Sequence, residues 1–140
     1  MSLDLIPQSH RDLLEDDKKA YAQLATIMDD GSPQLTMVWF NTDGEHILVN
    51  SSRGRVKDHN MRERPRVALL IHDHNDYYHY IQIRGHVVEI TEEGAREHID
   101  ELAGKYTGTA DYKGFRPGMV RVAYKIEPDS VTKTNTKSPL

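Results

Sequence analysis

The chain contains no cysteine. That absence excludes disulfides, thiolate nucleophiles and cysteine-based metal sites together, and it makes a reducing cytoplasm the expected compartment. Tryptophan occurs once, at Trp39. No apolar run approaches the ~18 residues that a membrane-spanning helix requires. The amino end, MSLDLIPQSHRDLLEDDKK, has neither the basic start nor the apolar stretch of an export signal, so an unexported protein outside the membrane is expected. Positive charge is in short supply too. Eighteen Lys and Arg against 22 Asp and Glu leave a formal charge of −4, which argues against a general nucleic-acid binder.

What is present is a set of short apolar runs. Mean hydropathy is low at −0.68, but the 37% of residues that are hydrophobic cluster at strand length, which indicates a globular chain and not a disordered one. With 140 residues the expectation is one domain, 1–140, with a polar and mobile tail over 132–140. Residues 8–19 place Leu13 and Leu14 among charges, with Ser9 as a cap and Asp12 as its capping-box partner, and predict a short amphipathic helix. Tyr21 to Met28 and Gln34 to Asn41 read as strands around the turn Asp29-Asp30-Gly31-Ser32-Pro33. A second turn at Asp43-Gly44 leads into a third strand, His46 to Asn50, in antiparallel order with the first two.

Further strands are expected from Arg66 to His72, from Tyr77 to Ile90 and from Met119 to Ile126. Gly85 interrupts the middle one, as a bulge or barrel corner does. Thr91 is placed to cap a helix whose buried stripe is Ala95, Ile99, Leu102, Ala103 and Tyr106. Many antiparallel strands with tight turns and a few inserted helices predict an α+β fold built on a small antiparallel β-barrel.

Between two of these strands lies SSRGRVKDHNMRERPR, residues 51–66, a locally positive stretch in an acidic chain. Ser51 or Ser52 can cap a short helix whose free amides would face an anion held by Arg55 and Lys57. Lys57 and Asn60 are three residues apart, which puts a point charge and an amide donor on one helix face. A phosphate suits that set. The alternative is a solvated charge run that Pro65 terminates.

With the strands in place, four segments resemble the flavin- and deazaflavin-binding split β-barrel family related to pyridoxamine 5′-phosphate oxidase. They are DGSPQLTMVWF (30–40), VNSS (49–52), GRVKDHNMRERPRVALL (54–70) and IQIRGHVVEI (81–90). The resemblance spans nearly the whole chain. It implies that the strand of Leu35, Thr36, Met37, Val38 and Trp39 lies beside the cofactor ring. It also implies that Asn50 and Ser51, with Ser52 beside them, meet the ring and the ribityl or phosphate portion, and that Lys57 is the phosphate lysine among Arg55 and Asn60. Tyr80 matches a further contact, supplied by the partner subunit of a homodimer whose cofactor sites lie at the interface. The oxidase subfamily has a C-terminal segment with tryptophan and arginines that is missing here, where the chain ends in EPDSVTKTNTKSPL. The chain is therefore more similar to the reductases that use the deazaflavin coenzyme F420, and Arg53, Arg55 and Arg62 would serve that coenzyme's acidic tail. FMN also carries a phosphate and stands as the alternative cofactor.

The resemblance implies hydride transfer between reduced deazaflavin and a small electron-poor organic substrate, with no nucleophilic side chain required. Tyr80, Tyr78, His79 and water are all open as proton donor, so no catalytic residue is assigned. Three other classes compete. His72, Asp73, His74, Asp76 and His79 surround one turn and would suit zinc or nickel. The basic stretch with Tyr77, Tyr78 and Tyr80 would suit a nucleic acid. A carrier or sensor of the cofactor would use the same binding residues without turnover.

Overall fold

The computed structural model describes residues 2–134. Seven strands, β1 (Tyr21–Ile27), β2 (Pro33–Val38), β3 (Phe40–Thr42), β4 (Ile47–Ser52), β5 (Arg66–His72), β6 (Tyr80–Thr91) and β7 (Arg121–Lys133), form one antiparallel sheet in the order β2-β1-β5-β6-β7-β4-β3. The helices are α1 (Val56–Glu63) and α2 (Ala95–Thr107). The fold is α+β, an antiparallel split β-barrel. Its closure follows from connectivity. β2 and β3 are the two outer strands of the sheet, yet only Trp39 separates them, and two residues of chain reach at most about 7 Å. The sheet must therefore curl until its edges meet. The expected single strand from Gln34 to Asn41 is broken at Trp39 for this reason; the expected hairpin across Asp43–Gly44 forms between β3 and β4, and the other edge of β4 pairs with β7.

Alternation fills the interior. Leu24, Phe40, Ile47, Val49, Leu69, Ile71, Ile81, Ile83, Val122, Tyr124 and Ile126 are all buried in one core, with Met61 of α1 packed against it. The bulge expected at Gly85 is present as a slip in the β6–β7 register between Arg84 and Gly85, with Pro128 opposite where a ladder hydrogen bond is not needed. A Cβ at Gly85 would run into the backbone carbonyl of Glu127. Gly85→Ala is accordingly expected to lower stability by about 2 kcal/mol, read as a fall in urea midpoint at unchanged m-value. An unaltered midpoint would mean that the two strands separate freely here.

Several local expectations are corrected. Residues 8–19 form not an amphipathic α-helix but the 3₁₀ turns Gln8–Leu14 and Asp16–Lys18, following a first one at Ser2–Leu5. Pro7 occupies the cap position, Ser9 bonds to the His10 ring, and Asp12 turns to His79 and Lys18 in place of a capping box. Ser51 and Ser52 stay in β4, so Arg55 precedes α1 without a side-chain cap. Gly94, with φ of 77°, and not Thr91, opens α2. The long strand starts at Tyr80 because the backbone of Asp73 and His79 closes a turn ahead of it. β7 begins at Arg121 and continues to Lys133, beyond the expected end at Ile126, since β6 offers it a partner along that length. The mobile tail expected from Thr132 is thus wrong for residues 132–134: Thr134 is buried and bonds to the Tyr80 backbone. The rest of that tail lies outside the described residues. No helix among the described residues is long and apolar enough to cross a membrane.

Candidate functional site

A cleft of about 280 Å³ opens where the sheet edges meet and α2 crosses β4 and β7. One wall is apolar: Met37, Val38 and Trp39 from the β2–β3 junction, Ile99 and Leu102 from α2, with Tyr21 and Tyr112 at the margins. The other end is polar and cationic, lined by Asn50, Ser51, Arg55, Lys57 and Arg121. Trp39 is held by ring stacking on Tyr106, at 5.4 Å between centroids and 12° between planes, and Tyr106 in turn stacks on Tyr21. The Tyr106 hydroxyl donates to the Ala20 carbonyl at 2.7 Å, and the Lys105 ammonium to the Phe40 carbonyl at 2.7 Å, so the last turn of α2 fastens the strand break.

The cationic end is built without counter-charges. Among the described residues neither Lys57 nor Arg55 has a carboxylate partner. Burial, then the neighbouring Arg55 and Arg121 guanidinium groups, hold the Lys57 pKa below that of an ordinary lysine. An anion in the cleft would relieve that repulsion. Ser51 lines the cleft, and its buried Oγ has no hydrogen-bond partner among the described residues, an orphaned polar atom that a ligand entering there would satisfy. Arg121, also buried, donates from Nε to Asn50 Oδ1 at 2.9 Å and from Nη1 to Ser52 Oγ at 3.0 Å. Asn50 donates through Nδ2 to the Ala95 carbonyl at 2.9 Å, and the same nitrogen lies 3.0 Å from His98 Nδ1.

Of the residues singled out in the sequence, Met37, Val38, Trp39, Asn50, Ser51, Arg55 and Lys57 converge on this cleft. Ser52 stands behind it as a support for Arg121. Leu35 and Thr36 do not line it: Leu35 is exposed on β2, and Thr36 Oγ1 is buried with no hydrogen-bond partner among the described residues. Asn60 does not share a ligand-facing side with Lys57. It is buried beneath α1, donating to Thr26 Oγ1 at 3.0 Å and contacting Met28 Sδ at 3.3 Å, because a three-residue step rotates it toward the barrel. Tyr80 lies at the start of β6, outside the cleft of its own chain. The wider cationic surface expected from Arg53 and Arg62 is neutralised by Glu92 and Asp58, and Arg64 bonds to Asp29, which leaves little of an open basic face for a nucleic acid. The histidine-rich turn disperses as well: His79 bonds to Asp12, Asp73 to Lys18 and His72 to Gln23. No group of three possible metal ligands occurs among the described residues.

Sequence reading missed Tyr21, Arg121 and the supporting His98, and assigned Ile99 and Leu102 only to the core; Tyr112, which the sequence places beside a loop able either to cover a pocket or to pack beneath it, lines the cleft. Arg121 carried a signal. Alternation sends Val122, Tyr124 and Ile126 inward, so Arg121 belongs to the opposite face, and a charged group under a helix needs partners.

Residues 6–135 match the family model described as pyridoxamine 5′-phosphate oxidase. The chain belongs to that family. Members bind flavins or deazaflavins. Among solved structures, an F420 reductase is similar at 28% identity, with a TM-score of 0.80 over 91% of this chain and 98% of that one. A conserved hypothetical protein from Mycobacterium tuberculosis shares 26% identity at a TM-score of 0.70, covering 91% and 84% of the two chains. HupZ of Group A Streptococcus, at 19% identity and a TM-score of 0.62 over 94% and 95%, shares the fold.

Proposed function

We propose that this family member is an F420-dependent oxidoreductase that reduces small electron-poor organic substrates. The observation that carries the reading is the pairing of an apolar slot with an unpaired cationic end in one cleft. A planar ring with a phosphate on a flexible arm has that same division of polarity. The likeness to an F420 reductase favours the deazaflavin over FMN.

The residues present fit such a group. Lys57 and Arg55 would hold the phosphate, with Arg121 beside them, and the Ser51 hydroxyl would donate to an oxygen of the arm. Met37, Val38 and Trp39, together with Ile99 and Leu102, would form the apolar wall that the ring rests on. When bound, the reduced ring supplies the hydride. The protein's own part is to fix that ring, to seat a substrate against its exposed side and to keep water from the slot. No side chain in the cleft is placed as a nucleophile. A second copy completes the site in this reading: Leu35 and Met37 are 64% and 56% exposed on the edge strand, an apolar surface that a homodimer would cover, and Tyr80 is the residue each copy would lend the other.

The test is a fluorescence titration of protein purified without cofactor, using F420 and FMN separately. Wild type should prefer F420, and Lys57→Ala should weaken binding at least about tenfold, the loss of one charge-assisted contact, with its urea midpoint unchanged. Equal affinity of the variant and wild type would remove Lys57 from the site. Preference for FMN would make the protein a flavoprotein, and F420 binding without turnover of any nitro- or enone-type substrate would make it a carrier.

A further inference from the structure

The hydrogen-bond chain behind the cleft has a fixed direction. An arginine can only donate, so the 2.9 Å contact from Arg121 Nε makes the facing atom of Asn50 its carbonyl oxygen. The Asn50 amide nitrogen then points to the Ala95 carbonyl and to His98 Nδ1, which must accept. The proton of His98 therefore sits on Nε2, which lies 2.8 Å from Asn41 Oδ1. Each assignment follows from the one before. His98 is buried on α2, and burial, then the Arg121 guanidinium, hold its pKa at about 4. Among the described residues its ring bonds to the amides of Asn41 on β3 and Asn50 on β4, and the charge that acts on it is the Arg121 guanidinium of β7. Arg121 in turn bonds to Ser52, lies over the Tyr112 ring at 5.0 Å from its centroid and feels the charge of Arg55.

We infer that His98 is a positioning residue for the anion end of the cleft: its neutral, Nε2-protonated ring fixes the Asn50 amide, and that amide fixes the Arg121 guanidinium for an anionic ligand. Protonation would place an N–H on Nδ1 facing the Asn50 NH₂ group. Rotating the amide to accept from His98 would turn its NH₂ toward Arg121 Nε–H, trading one donor–donor clash for another. Two like charges would then also face each other with no carboxylate between them. The cleft therefore loses its ordered arginine as the ring gains a proton, and affinity for an anion falls on acidification. The ligand named here rests on the proposed cofactor reading, while the relay is a property of the chain itself.

Two substitutions separate the roles of the ring nitrogens. In His98→Asn the side-chain oxygen replaces Nδ1 as the acceptor for Asn50 and cannot titrate. In His98→Gln the polar group replaces Nε2 and leaves Asn50 with the Ala95 carbonyl but no acceptor for its second amide hydrogen. With F420 and FMN as probes at pH 7.5 and pH 4, His98→Asn should bind like wild type at the higher pH and lack the extra weakening, about twofold, that half-protonation of His98 gives wild type at the lower one. The ligand's own titration cancels in that difference. His98→Gln should bind about tenfold more weakly at both values, the cost of one unpaired buried hydrogen bond. Equal affinities of the two variants, or the same acid weakening in His98→Asn as in wild type, would overturn the inference. If wild type binds neither probe, the cofactor reading fails and nitrogen-15 NMR decides the relay alone. His98 should be the Nε2–H tautomer, and exchange of the Arg121 Nε–H should be slow in wild type and His98→Asn and fast in His98→Gln. Unchanged exchange in His98→Gln would refute it.

Discussion

Asp58→Ala is expected to cost about 3–4 kcal/mol, the range for removing one member of a buried charged network. Asp58 is buried on the inner face of α1, and three donors depend on it. The Tyr124 hydroxyl donates to Oδ1 at 2.5 Å, Arg62 Nε to the same oxygen at 3.0 Å and the Gly54 amide to Oδ2 at 3.0 Å. Burial alone would raise the Asp58 pKa, but the Tyr124 hydroxyl, the Gly54 amide and Arg62 outweigh it and hold the carboxyl below the usual range. Alanine would leave the Tyr124 hydroxyl in the core and the Gly54 amide ahead of α1 without acceptors. The same substitution frees the start of α1, so Lys57 should lose its placement as well. Urea unfolding measures the first effect, and a loss under about 1 kcal/mol would show that water reaches these donors. Tyr124→Phe should cost less, because Asp58 keeps two of its three donors.

The second large effect is acid lability in a window above the carboxylates. His98 has a pKa lowered from 6.5 to about 4. In the unfolded chain it takes up a proton as pH falls through 6.5, while the folded chain resists until about 4. The unfolded state thus binds more protons across that interval, and stability falls with pH there. Integrated over the shift, the loss is about 3 kcal/mol between neutrality and pH 4. Above the unfolded value the full stability is present, and below about 4 this group adds no further change. His10, also held below the ordinary histidine value by burial and by the His79 ring, contributes in the same direction. Urea midpoints of wild type should drop steeply between pH 7 and pH 4.5, and those of His98→Asn by less. Parallel profiles would assign the acid sensitivity elsewhere.

Much of the fold can be read from the sequence because it rests on alternation and turn chemistry, which are local. The Asp29–Pro33 and Asp43–Gly44 turns, the apolar alternation of Arg66 to His72 and the Gly85 interruption all report on residues within a few positions of themselves. The errors arise where a distant partner decides. Nothing local breaks Gln34 to Asn41 at Trp39; the break exists because one strand pairs with β1 and the next with β4. Nothing local extends β7 to Lys133 except the length of β6. Ser9, Ser51, Ser52 and Thr91 have the chemistry of caps, but a hydroxyl in a strand or beside a histidine is committed before it can cap.

The cleft divides the same way. Lys57 and Arg55 are legible as a cationic pair after a strand, since charge at close spacing needs no fold to be noticed. Asn60, sharing their helix, is turned to the barrel and tethers α1 to β1, a distinction that spacing alone does not draw. Arg121 lies 64 residues beyond Lys57 in the chain, and only the pairing of Ser52 with Arg121 across β4 and β7 brings the two to one end of the cleft.

Because the chain's single tryptophan stacks on Tyr106 where the sheet edges meet, the protein carries its own optical probe at the cleft wall. Its intrinsic emission comes from that one place. A coloured ring seated in the slot would drain the excited indole by energy transfer, whereas an anion confined to the cationic end would leave it nearly as bright. One spectrum, taken without label or substrate, therefore tells occupancy of the apolar half from occupancy of the charged half.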